Sequence, residues 1–381
     1  MEQLLQEDPE KLVALLKYAA TFPDFPKNFT VPSLLDPNYV PPNRSRPLEV
    51  LCYCLAGITT VVVLLRLWVR MRVQRRMFGM DDWLIIPGQI LSLATIIVII
   101  LLSRVGGSGQ HIYDVSYDRA ATSLVLQFIG ISLYFAAICI IRLSITAFLY
   151  RLISPVFKTK RILLHCTVVF IFLEFAITGF LHIFAYKPIS AGWDIDVRLA
   201  GFTSINVPLG IFIGSIVYLI TDVWLLIIPI HTVWTLRLSI WRRIGITWVF
   251  AFGSVACVGA ILKTIYVYPL FDSYDPLWNG IGFQIGAVIE LGFGVISASI
   301  PALNHILVKA IPILLDPWFS STPINERFSS ANRTTKPKHQ TFQEDFSRRI
   351  RGPSGRAVEA YDNIPGGSEF NLGREARRKG A

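Results

Sequence analysis

The chain has 381 residues, of which 53% are hydrophobic and only 16% charged, with a formal net charge of +10. A soluble chain of this length carries about a quarter charged residues, so composition excludes an ordinary soluble domain and points to the polytopic membrane class. The basic excess does not indicate nucleic acid, because Lys and Arg sit in short loops between apolar runs and in the C-terminal tail.

The first 47 residues are polar and Pro-rich, with a short amphipathic stretch at Glu10–Ala20. The opening MEQLLQEDPE is acidic where a signal peptide is basic, so the first apolar run is expected to direct insertion. Seven apolar runs follow: Leu48–Trp68, Trp83–Ser103, Thr122–Leu149, Ile162–Tyr186, Val207–Ile230, Ile244–Val267 and Gly280–Leu307. A run of about 20 uncharged residues spans roughly 30 Å as a helix, enough for the hydrocarbon core. Inside lipid such a run is helical, because only a helix satisfies its own backbone.

The Lys and Arg of short loops orient the spans. Arg70, Arg72, Arg75 and Arg76 follow run one, Arg151, Lys158, Lys160 and Arg161 follow run three, and Arg237, Arg242 and Arg243 follow run five. Alternate loops are poorer in bases and carry Asp114, Asp118, Asp194 and Asp196. The expected fold is an all-α bundle of seven transmembrane helices, with the N-terminus outside and the C-terminus cytoplasmic. Residues 1–47 would form an extracellular segment, 48–310 the bundle, and 311–381 a disordered basic tail that cannot bury a core. Sequons at Asn28 and Asn43 fall in the segment this topology exposes, and mark it as a glycosylation candidate. Trp68, Trp83, Trp234 and Trp241 fall near one interface, and Trp193 and Trp278 near the other. The five cysteines suggest neither a disulfide framework nor a metal site.

Asp81 and Asp82 open the second run in the string FGMDDWLII. Acids at a helix N-terminus stabilise its free N–H groups by about 0.3–1 kcal/mol each. They could also pair with the loop arginines or with Arg142, as a fixed brace or as contacts that break between two states. A charge within a span defaults to function, or at least to a partner. Depth alone sorts these charges into two sets: an inner network of Asp81, Asp82, Arg142 and Asp222, and an outer one of Glu174, His182, Lys263 and Glu290 with His111 and Trp193 from the loops. Each set reads either as static pairing or, for the outer one, as a pocket whose Glu174 and Glu290 hold a cationic or hydroxylated small molecule. Covalent retinal needs a lysine within the seventh span, and Gly280–Leu307 contains none, so no retinal or other cofactor is expected. HExxH, GxSxG and Walker signatures are missing, and an enzyme is not the leading reading.

GMDDW, GSGQH at Gly107–His111, IRLSITAFLYRL at Ile141–Leu152, YKPISAGWD at Tyr186–Asp194, TDVWLLIIPI at Thr221–Ile230 and RRIGI at Arg242–Ile246 occur in this order. Together with Trp278, Glu290 and Pro301 they resemble the fungal rhodopsin-like integral membrane proteins, also called the satratoxin-cluster membrane protein family, over roughly residues 48–310. That resemblance implies a seven-span, receptor-like fungal protein, with some members in secondary-metabolite gene clusters. Where the family usually has Lys, this chain has Arg142; where its outer-loop motif begins with Cys, this chain has Tyr186, which argues against a loop disulfide. The leading expectation is a multi-pass protein of the plasma membrane or endomembranes that senses an extracellular small molecule and engages a cytoplasmic signalling partner. The alternatives are an accessory protein or enzyme of a secondary-metabolite pathway, and a transporter. An odd span number and the lack of an internal repeat weigh against inverted-repeat transport.

Overall fold

The computed structural model describes residues 38–319, apart from 74–77, 154–155, 236–239 and 272, with scattered positions between 13 and 26. It leaves out the side chains of 229–246 and 304–319. The sequon at Asn28, most of Glu10–Ala20, Arg75, Arg76, the side chains of Trp234 and Trp241, and the tail from residue 320 lie outside this set. Everything below belongs to the unit Met1–Ala310.

The elements are α1 (Ser45–Trp68), α2 (Met80–Arg104), α3 (Tyr117–Leu152), α4 (Lys158–Ile183), α5 (Ile195–Ala200), α6 (Val207–Thr235), α7 (Ile240–Ile265), α8 (Val267–Phe271) and α9 (Pro276–Phe319). A two-residue hairpin, β1 (Tyr186–Lys187) against β2 (Thr203–Ser204), closes the α4–α6 connection. Seven described helices, all but α5 and α8, are long and apolar enough to cross a membrane. Each expected apolar run lies on one of them. The chain is an all-α seven-helix bundle. The end bearing the connections 105–116, 184–206 and 266–275 is termed upper, and the opposite end lower.

The central helix is α9: 78% of its membrane window is buried, against 22% for α4. Its Ala287, Leu291, Val295 and Ala298 pack with Val63, Ile85, Ile138, Ile141 and Tyr218 from α1, α2, α3 and α6. In lipid, close backbone approach replaces hydrophobic driving force, so helices meet through small residues. The α7–α9 crossing is built this way. A methyl group placed on Gly286 would lie 2.5 Å from the Lys263 nitrogen and 2.7 Å from the Gly259 oxygen, and one on Gly259 would lie 2.7 Å from the Glu290 nitrogen. These contacts bring Lys263 and Glu290 one turn along to face each other. Gly286→Ala is therefore expected to cost about 1–3 kcal/mol through forced separation, seen as a lowered unfolding temperature in detergent. Gly179→Ala on α4, where a methyl meets nothing within 4 Å, is the neutral control.

Candidate functional site

Near the middle of the bundle, five ionisable side chains from five helices form one cluster. Arg142 on α3 donates from Nε to Asp222 Oδ1 of α6 at 2.9 Å, and from Nη1 to Glu174 Oε2 of α4 at 3.1 Å. Its Nη2 donates to the Tyr218 carbonyl at 2.9 Å and lies 3.6 Å from Glu290 Oε1 of α9. The guanidinium covers the Tyr218 ring at 4.5 Å. Lys263 on α7 donates to Glu290 Oε2 at 2.7 Å and to the Tyr134 hydroxyl. The Thr221 hydroxyl serves both Glu174 oxygens, at 3.4 and 3.3 Å. A planar fork with five donors in fixed directions spans acidic neighbours on several helices and still serves a carbonyl.

This cluster forms a septum between two cavities. Above it lies a pocket of about 110 Å³, whose wall includes Phe128, Phe135, Tyr134, Tyr218 and Phe283. Arg198 and Tyr186 stand at its mouth end and Lys263 at its floor, with Gln127, Thr178, Ser215 and Gln284 as polar groups between; none of its described lining residues is a carboxylate. Below the septum a cavity of about 40 Å³ touches Arg142, Asp222 and Glu290 between apolar walls from α3, α6, α7 and α9.

Asp81 and Asp82 belong to a separate assembly at the lower end. Asp82 accepts from the Gly79 nitrogen at 3.1 Å, so it caps α2. Arg66 of α1 donates from Nε to Asp82 Oδ1 at 2.9 Å, from Nη2 to Asp81 Oδ2 at 2.7 Å and from Nη1 to the Ala298 carbonyl at 2.5 Å. Arg70 reaches Asp81 at 3.0 Å and Asp82 at 3.3 Å, and Arg151 of α3 reaches Asp81 at 3.3 Å. This brace ties α1, α2, α3 and α9 together.

The inner network expected from depth is thus two networks. Asp81 and Asp82 do not meet Arg142 and Asp222. The reason is direction: Ser144, two residues along α3, donates to the Asp81 carbonyl at 2.9 Å, so Arg142 points about 200° away round the same helix, toward α4, α6 and α9. Arg142 and Asp222 instead join Glu174, Lys263 and Glu290 from the set expected to be outer. Glu174 and Glu290 do not face the upper pocket, so a cation held there by both has no support in the geometry. Arg66 is absent from the sequence candidates. Its signal is an arginine two residues before the end of an apolar run, where it passes for an interfacial residue.

The other outer candidates separate as well. His182 stacks on Phe128 at 4.7 Å between centroids, approaches its carbonyl at 3.2 Å, and lines the upper pocket. Trp193 packs against Phe128 at 5.0 Å. His111 lies in an upper latch, 2.5 Å from Asp275 and stacked on Trp278 at 3.9 Å. Burial pushes the Asp275 and Asp114 carboxyls above the ordinary aspartate value; the His111 bond opposes this at Asp275, and the Tyr39 bond at Asp114. The GSGQH turn holds the latch through its backbone: Gly109 has φ +93°, donates to the Leu277 carbonyl at 2.9 Å and accepts from the Arg44 nitrogen at 3.0 Å. Positive φ favours glycine. All five cysteines are free, and Tyr186 lies under Arg198 at 4.8 Å. No group of acids, His and Cys suited to a metal occurs among the described residues.

The fungal rhodopsin domain matches residues 65–309. Receptor GIN3 of Arthrobotrys oligospora is 27% identical over 311 residues, 78% of this chain and 72% of the relative. Polyenoic acids biosynthesis gene cluster protein Ba17b of Metarhizium anisopliae is 23% identical over 279 residues, 70% of this chain and 75% of the relative. A SAT4 family membrane protein of Emericella nidulans is 25% identical over 213 residues, 55% of this chain and 53% of the relative. No solved structure matches.

Proposed function

The chain belongs to the fungal rhodopsin domain family, and from that membership we propose that it acts as a receptor-like sensor for an apolar small molecule bearing acceptor oxygens. It is an integral, multi-pass membrane protein. The observation that carries the reading is the upper pocket. Aromatic walls suit an apolar body, and Lys263, Gln127 and Gln284 offer hydrogen-bond donors. With Arg198 and Lys263 present and no lining carboxylate, the pocket repels a cationic head. Its floor rests on the septum, so a ligand touching Lys263 perturbs contacts shared by α3, α4, α6, α7 and α9. In this reading the lower end, with its basic loops, faces the cytoplasm and the N-terminus faces outside, and a signalling partner binds the lower loops. No lysine lies in residues 276–303, so covalent retinal is not part of the mechanism. The name of the Arthrobotrys relative agrees with a receptor. The name of the Metarhizium relative favours a second reading, a membrane-embedded component of a biosynthetic pathway.

The test uses protein in lipid nanodiscs with a long-chain alcohol and the amine of equal chain length. The alcohol is expected to raise the unfolding temperature and the amine is not; Ser215→Trp, which fills the pocket, removes the effect. Equal protection by the amine, or protection that survives Ser215→Trp, overturns the ligand class. With Cys54 and Cys166 replaced by Ser, a fluorophore on Val156→Cys at the lower face reports signalling. A response to the alcohol supports the receptor, and silence despite binding favours the pathway component.

A further inference from the structure

We propose that the septum is a binding site for one exchangeable proton, held by the Asp222 and Glu290 carboxyls where they meet the lower cavity. The argument begins with charge. Two cations, Arg142 and Lys263, face three carboxylates, Glu174, Asp222 and Glu290. The other titratable groups facing them are the Tyr134 hydroxyl, which bonds Lys263, Tyr218, whose ring lies under Arg142, and the Cys139 and Cys257 thiols. No further charged side chain bonds to the five among the described residues. A net charge buried in low dielectric is strongly disfavoured unless it is neutralised. One more positive charge completes the cluster, and a proton is the smallest.

Its location follows from the hydrogen bonds. Glu174 Oε2 accepts from Arg142 at 3.1 Å, and both Glu174 oxygens have the Thr221 hydroxyl within 3.4 Å. In contrast, Asp222 Oδ2 and Glu290 Oε1 are buried and accept no hydrogen bond, and Glu290 is 1% exposed. Each of these carboxyls has its other oxygen bonded to a cation, Arg142 for Asp222 and Lys263 for Glu290. Both residues line the lower cavity, so they can be reached from that side without crossing the septum. A metal ion fits less well, because the three carboxylates are turned to Arg142 and Lys263 and no group of acids, His and Cys suited to a metal occurs among the described residues. The proposal is independent of the pocket ligand.

Infrared difference spectra between neutral and alkaline pH, recorded on the full chain in nanodiscs, test it. The wild type is expected to show a protonated carboxyl band at neutral pH that is lost on alkalinisation. Asp222→Asn or Glu290→Gln each leaves two acids for two bases, so the band is expected to vanish in both. No titrating band in the wild type, or a band that persists in either variant, overturns the assignment. If a variant does not fold, the wild-type titration still decides. Replacing choline with sodium in the buffer is expected to leave the band unchanged; its loss in sodium assigns the balancing charge to a metal ion and overturns the proton.

Discussion

Arg142→Gln is expected to yield almost no folded protein. The change leaves Glu174, Asp222 and Glu290 with Lys263 as the one cation touching any of them, and Lys263 bonds only Glu290 of the three. Removing one partner from a buried ion pair costs about 3–5 kcal/mol. Arg142 serves three such acids, with a side chain 1% exposed, so the loss stands at the top of that range or beyond it. Against a folding stability of about 5–15 kcal/mol, that is most of the margin. The measurement is the fraction of protein that runs as a single species in mild detergent, with thermal unfolding of what survives. Arg142→Lys keeps the charge and loses the fork, so it is expected to fall between wild type and Arg142→Gln. Adding Asp222→Asn to Arg142→Gln removes one of the stranded acids. That double variant should recover part of the loss, and the shortfall from additivity measures their coupling. An Arg142→Gln protein that unfolds like wild type would show that the septum is incidental to stability.

The seven spans were legible because lipid imposes one solution on a long uncharged run: a helix that satisfies its own backbone. Individual charges were harder, because sequence reports depth and not azimuth. Glu174, Asp222 and Arg142 were visible as costly residues within spans. Their meeting depends on how α3, α4 and α6 are rotated about their axes, which neighbouring helices decide. Lys263, toward the end of its span, was grouped with the outer set by depth alone. It is held inward because Gly259 and Gly286 let α7 and α9 touch, and nothing in the isolated segment around Lys263 announces that contact. The acid pair was recognised as a helix start, and Gly79 does receive the cap from Asp82. Its cation was sought in the loop that follows α1 and higher up on α3. Arg70 of that loop does reach both acids; the partner not foreseen is Arg66 within α1 itself, because α1 and α2 are antiparallel neighbours and the last turn of one faces the first turn of the other.

That arrangement makes Arg66→Met the second severe substitution. Methionine keeps an unbranched chain of similar reach and removes the charge and all five donors. Asp81 and Asp82, 2% and 0% exposed, would then depend on Arg70 and the half-exposed Arg151. The Ala298 carbonyl would lose its donor on the central helix. The expected cost is about 3–5 kcal/mol for the broken buried pairs, with separation of α1 from α9 at the lower end. Thermal unfolding in detergent reads the first effect; faster hydrogen exchange in residues 80–84 and 298–303 reads the second. Arg70→Met is the comparison. Arg70 reaches the same two acids at 3.0 and 3.3 Å, whereas Arg66 is the residue that bonds the Ala298 carbonyl. Loss of Arg70 should therefore destabilise less and leave exchange near Ala298 unchanged. Equal costs for the two variants would mean that the brace works through net charge alone. A larger cost at Arg66, confined to the α1–α2–α9 junction, would mean that it works through the directed fork that joins both aspartates to the central helix.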